Sequence, residues 1–187
     1  MRSGVQRGRL VAALVVIAAL LAAGCGDDEP SAGEDPTERL VGIYSATVTA
    51  VVAQSDVPSD DGEDDDGGDE GKDEDTTRTV FLQAHEDNEI SAEVQVGVVN
   101  ELDDWANVRF IDDLEEAVDE SVDGAPVRDH GVLIGLGPAT EGAVTSTLVA
   151  DQYVSATQTM VFDVSLRRRS GEWTVEEPLE GVSVRNP

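Results

Sequence analysis

Apolar residues recur along this chain in two rhythms, and the switches between them mark out its elements. In "DPTERLVGIYSATVTAVVAQ", Val41, Tyr44, Val48 and Val52 return at near-helical spacing. Ahead of them stand Asp35 as a cap, Pro36 in the first turn and Glu38 three residues after the cap. Residues 36–54 are therefore expected to form a helix, although the β-branched run "ATVTAVV" also suits a strand. "RTVFLQAH" has the continuous apolar character of a buried strand, and in "SAEVQVGVVNELDDW" Ser91 caps a helix that carries Val94, Val98, Leu102 and Trp105 on one face. "NVRFI" returns to strand character, which predicts a β-α-β unit.

"DDLEEAVDESV" then reads as a short acidic helix with Leu114 and Val118 inward. Beyond it the rhythm has period two: "HGVLIGLGP", "AVTSTLVADQYV", "TQTMVFDVSLRRR" and "EWTVEEP" are strands separated by turn residues, the last two joined through Ser170 and Gly171. Helices early and strands late predict an α+β fold, with a curved, mostly antiparallel sheet covered on one face by two or three helices. In element order alone this loosely resembles the cone-shaped or cystatin-like domains of exported bacterial proteins, a likeness that implies no activity.

The first 34 residues follow neither rhythm. "MRSGVQRGR" carries three arginines and no acid, and Leu10 to Gly24 is uncharged. A basic start followed by a short apolar run is the pattern of an export signal, and the run falls short of the roughly 20 apolar residues that span a bilayer core. It ends in "AAGC", with the chain's one cysteine at Cys25. That ending resembles the lipobox of bacterial lipoproteins: Ala23 and Gly24 match, and Ala22 stands where leucine is more usual. The resemblance covers residues 1–25. It implies a signal peptide at 1–24, a diacylglyceryl group on the Cys25 sulfur, and a mature chain anchored on the outer face of the cell membrane. Lipidation would also remove a lone thiol from an oxidising compartment, and two acyl chains would hold the chain stably where one would not. Residues 25–35 then form a tether with a reach on the order of 20 Å.

Charge narrows the function classes further. With 12 Lys+Arg against 40 Asp+Glu the net charge is -28, which repels nucleic acid and anionic head groups alike. An aromatic share of 4% also gives no stacking platform for bases. Much of the acid lies in residues 55–77, "SDVPSDDGEDDDGGDEGKDEDTT", where almost no side chain is apolar. Such a tract is expected to be a disordered, solvated insertion, because it buries too little surface to offset its ordering entropy. Its carboxylates suit calcium, but its glycines fall out of step with a D-x-[DN]-x-[DN]-G ladder. The remainder, 78–187, makes up the main part of one small domain together with the helix at 36–54.

Chemistry is sparse. His85 and His130 are the only histidines, each beside acids: Glu86 and Asp87 after the first, Asp129 before the second. Brought together with a carboxylate they would form a two-His, one-carboxylate metal site; apart, each suits a solvated strand edge. Asp112 and Asp113 follow "VRFI" at what would be the carboxyl end of a parallel strand, where ligands bind, and they equally suit helix capping. "GLGP" lacks the third glycine and the lysine of a phosphate loop and reads as a strand ending in a turn. Arg167, Arg168 and Arg169 are expected to pair across a hairpin with Glu172 and its neighbours, and Trp105 and Trp173 to lie in the core.

These observations describe a lipid-anchored extracytoplasmic protein with a non-catalytic binding or accessory role. Its partners would be the membrane, through the lipid on Cys25, and an envelope protein or small ligand; no nucleic acid and no cofactor is expected. Two alternatives stand beside it: a metal-assisted hydrolase using Asp112, Asp113 and a histidine, and an acidic cation-binding surface protein.

Overall fold

The computed structural model describes residues 35–55 and 77–185. Cys25 and the rest of 1–34, the acidic residues 56–76, and the last two residues lie outside the described residues. The first helix, α1 (Pro36–Ala53), starts where Asp35 Oδ1 accepts the Thr37 N–H at 2.8 Å. Its β-branched run is helical because burial outweighs local preference: Ile43, Val48, Val51 and Val52 all enter the core. The hydroxyls of Thr47 and Thr49 donate to the carbonyls of Ile43 and Ser45 one turn back, both at 2.9 Å.

After α1 come β1 (Arg78–Ala84), α2 (Ala92–Leu102), β2 (Ala106–Ile111) and a single short turn of helix, α3 (Leu114–Ala117). The remaining strands are β3 (Val132–Leu136), β4 (Thr140–Glu141), β5 (Thr145–Ser155), β6 (Gln158–Arg169), β7 (Glu172–Val175) and β8 (Gly181–Arg185). They form one curled mixed sheet in the order β2-β1-β3-β5-β6-β7, with β4 beside β5 and β8 beside β6. β1 is parallel to both β2 and β3, and every other pairing is antiparallel. The fold is therefore α+β with a curved sheet. Ser170 and Gly171 both take positive φ in the two-residue turn between β6 and β7, the backbone that keeps a tight hairpin's strands in twist.

The two faces of the sheet are covered differently. Val80 and Leu82 of β1, Ile134 and Leu136 of β3, and Phe162, Val164 and Leu166 of β6 pack under α1 and α2 in the main core. Phe81, Leu133 and Ile111 point the other way, against Ala117 and Val118, so α3 and the chain after it cover only the parallel end of the second face. Because α1 shares the main core with the later strands, the residues on both sides of 56–76 belong to one folded unit.

Two local expectations change, and one strand was not expected. Trp105 is 36% exposed: α2 ends at Leu102, and Trp105 sits in the turn before β2 instead of continuing the helical face. The helix after β2 spans four residues, and Leu114 is exposed while Ala117 and Val118 turn inward. β8 had no foretelling pattern: all five of its residues are exposed, so no core-facing alternation marks it.

Candidate functional site

The connections of the parallel strands place the site. From β1 the chain crosses through α2 to β2 over the main core, and from β2 it returns through α3 to β3 over the other face. β2 and β3 lie on opposite sides of β1. Connections that leave β1 and β2 on opposite faces open a crevice beyond the carboxyl ends of those two strands, the place where open sheets of this kind bind ligands.

His85 directly follows the carboxyl end of β1, and its side chain turns to the β3 side, away from β2. Its backbone N–H donates to the Leu136 carbonyl at 2.9 Å, extending the β1–β3 ladder by one residue. Its side chain crosses β3 and pairs through Nε2 with Oδ1 of Asp151 on β5. Asp151 lies directly opposite Gly135 in the antiparallel ladder, so the pair lies over that glycine. A Cβ at Gly135 would stand 2.5 Å from Asp151 Oδ1 and 2.8 Å from His85 Nε2; one at Gly137 would stand 2.8 Å from the Val149 carbonyl and 3.3 Å from His85 Nδ1. The two glycines of "GLGP" thus form a bare bed for an imidazole and a carboxylate.

Asn88 fixes the loop that carries His85. Its side-chain amide donates to the carbonyls of Leu136 and Gly137, at 2.9 and 3.0 Å, and its backbone N–H donates to the His85 carbonyl at 2.9 Å. Tyr44 of α1 donates its hydroxyl to Asn88 Oδ1 at 3.3 Å, linking the loop to the main core. Burial pushes the Tyr44 phenol above its ordinary value, and the bond to Asn88 partly offsets this.

Around the pair is a cavity of about 440 Å³, walled by Gln83, Glu86, Leu114, Leu133, Tyr153 and Thr159 among others. Tyr153 donates to the Ala125 carbonyl at 2.8 Å, and burial, with the charge of Glu120 adding to it, pushes its phenol up. His85 and Asp151 are each about one-third exposed. In the neutral form of the ring, donation to the carboxylate puts the hydrogen on Nε2 and leaves the Nδ1 lone pair as an acceptor. The arrangement can hold a ligand's hydrogen-bond donor on an imidazole whose orientation Asp151 fixes.

The residues singled out in the sequence are dispersed. His130 lies in an exposed turn before β3, at the opposite end of the sheet from His85, roughly 23 Å away at the strand rise of about 3.3 Å per residue. Asp113 is the N-cap of α3, and the Glu116 carboxylate accepts the backbone N–H groups of Asp112 and Asp113 at 3.2 and 3.3 Å. The Asp112 carbonyl accepts from Gln83 Nε2 at 3.0 Å, which ties the end of β2 to the wall of the cavity. No contact joins either aspartate to a histidine, and no group of three metal-ligating side chains occurs among the described residues. Arg167 pairs with Glu176 at 2.8 Å and Arg169 lies opposite Glu172, the cross-strand pairing expected of the basic run. Trp173 is buried, as expected.

Asp151 and Asn88 were not singled out. Both are common polar residues within unremarkable runs, and only the pairing of β3 with β5 brings Asp151 to His85. Among the described residues no helix is long and apolar enough to cross a membrane. Comparison of the chain with protein-family models, with curated proteins and with solved structures finds no match.

Proposed function

We propose that this protein is a lipid-anchored binding module on the outer face of the cell membrane, non-catalytic, which takes a small polar ligand in the cavity beside His85 and Asp151. The anchor rests on residues 1–25: three arginines, a short apolar run and Cys25 directly after "AAG". The binding role rests on one observation, the bed of Gly135 and Gly137 that leaves room for an imidazole–carboxylate pair over the end of β3. Such a pair orients a single acceptor, which suits recognition of a ligand N–H or O–H.

Three measurements test this reading. Cells fed labelled palmitate should label the wild-type chain and leave Cys25→Ser unlabelled, since a serine hydroxyl is too weak a nucleophile to stand in for the thiolate; label on the serine variant would remove the anchor. Elemental analysis after chelator treatment should find no stoichiometric zinc or manganese, and a retained metal would favour the hydrolase reading instead. In Asp151→Asn the His85 ring resonances should move while the fold persists, because a partly exposed pair of this kind contributes at most about 1 kcal/mol.

A further inference from the structure

A second cavity lies on the opposite face of the sheet from the His85–Asp151 pair, beside the helices. It is a trough of about 1010 Å³ between α1, α2 and β7. Along α1 it is floored by Gly42, Ser45, Ala46, Thr49, Ala50 and Ala53. The lining runs from Thr37 to Ala53, roughly 24 Å at 1.5 Å per residue. In a chain of 40 acids, the helix from Leu40 to Ala53 carries no charge at all. Five carboxylates stand around it, Glu38 at the head, Glu93 and Glu101 on α2, and Glu172 and Glu177 on the strand side, against one cation, Arg168.

Two polar groups lining this trough lack partners. Ser45 Oγ and Trp173 Nε1 are both enclosed and make no hydrogen bond, although both residues are more than nine-tenths buried. The pyrrole edge of Trp173 is turned toward Gly42 on the trough floor, where a Cβ would stand 2.8 Å from Cδ1 and 3.7 Å from Nε1. A buried donor left unpaired is costly and asks for a partner from outside. At the rim stands Trp105, whose exposure is out of keeping with the core position its sequence spacing suggests.

We infer that this trough docks a basic amphipathic helix of a partner protein at the cell envelope. The floor residues fall at i, i+4 intervals (42, 46, 50 and 45, 49, 53), a row of small side chains between which the ridge of another helix seats closely. The length of the floor matches a helix of about 16 residues. Lysines or arginines flanking the apolar ridge meet the ring of glutamates, and a hydroxyl or carbonyl oxygen on the ridge meets the unpaired groups of Ser45 and Trp173. Charge selects against a second copy as the occupant, since each copy brings a net -28.

The test uses the full mature chain and a synthetic helical peptide of about 16 residues, with alanine, leucine and a central threonine on one face and lysines on the flanks. Titration should give saturable binding, with amide shifts confined to residues 37–53, 93–105 and 168–177 and a change in tryptophan emission. Affinity should fall at least about tenfold between low salt and about 1 M salt, where the Debye length is about 3 Å. Ala46→Arg and Ala50→Arg, shown to be folded by unfolding curves, should each weaken binding at least about tenfold. Glu93→Gln with Glu101→Gln should weaken it less and flatten the salt dependence. Unchanged affinity in the folded arginine variants would place the peptide on the acidic tract and overturn the inference. Equal binding of a peptide with glutamates in place of lysines would also overturn it, as would self-association that protects the same amides. So would shifts at this surface caused by anionic lipid vesicles and not by the peptide.

Discussion

The two faces of β1 and β3 are built from alternate residues of the same short strands, yet they have different work. On one, Val80, Leu82, Ile134 and Leu136 are fully enclosed under α1 and α2. On the other, Phe81 and Leu133 make a small apolar patch under α3, and two residues further along each strand the positions are taken by Gln83 and Gly135. Period-two alternation separates these roles cleanly: a residue on one face can change without moving its neighbour on the other. The first face supplies stability through volume and shape. The second gives up volume at Gly135 and Gly137 so that polar groups lie close to the backbone.

If that division is right, truncation on the first face has the largest effect. Leu82→Ala should destabilise the fold by about 2–5 kcal/mol, the range for emptying an enclosed leucine site, measured by denaturant titration. It should leave the His85–Asp151 pair intact in whatever fraction remains folded. A cost below about 1 kcal/mol would mean that the core beneath the helices is loosely packed and the contrast between faces is false. Gly135→Ala attacks the second face. The atoms its methyl meets are the ends of the two side chains, which can swing away, so the cost should stay within about 1–3 kcal/mol while the pair separates. A crystal structure or His85 ring shifts would report the separation. An intact pair in this variant would show that the glycine is not what makes room for it.

What could be read in the sequence follows the same division. Positions whose pattern repeats, such as Val94, Val98 and Leu102 on α2 or the alternating residues of β5 and β6, were legible because burial imposes a period. Asp35, Ser91 and the Ser170–Gly171 turn were legible because caps and tight turns have local chemistry. His85 was legible as a rare residue type and its partner was not: sixty-six positions separate it from Asp151, and their meeting depends on strand order. "GLGP" was placed correctly as a strand end, but the reason for its glycines lay in another element's side chain. Trp105 was misplaced because its spacing continued the helical face three residues beyond Leu102, where the helix had already ended. Its replacement sharpens the point: Trp105→Ala should cost about 0.5 kcal/mol, as for an exposed site, and not the 3–5 kcal/mol of an emptied aromatic site. A loss in the larger range would show that Trp105 is buried in solution.

The smallest expected effect concerns the segment that covers the second face after α3. Asp119 accepts from the hydroxyl and backbone N–H of Ser121, at 2.6 and 3.1 Å, and its own N–H donates to the Pro126 carbonyl at 2.9 Å. The hydroxyl first, then the N–H, hold its carboxyl below the ordinary carboxylate range. A carboxyl lowered in the folded state contributes stability that is present above its unfolded value and is lost as pH falls through the folded one. Ser121→Ala removes the larger of the two donors and moves the carboxyl partway back toward its ordinary value. Its unfolding midpoint should therefore lie slightly below wild type at neutral pH, and the gap should close as the pH falls below the carboxylate range. Added salt should change the gap little if the effect is local hydrogen bonding. A gap that persists at low pH would mean the hydroxyl supports the turn independently of the charge, and that this cover is held by packing of the same kind as the helices' face.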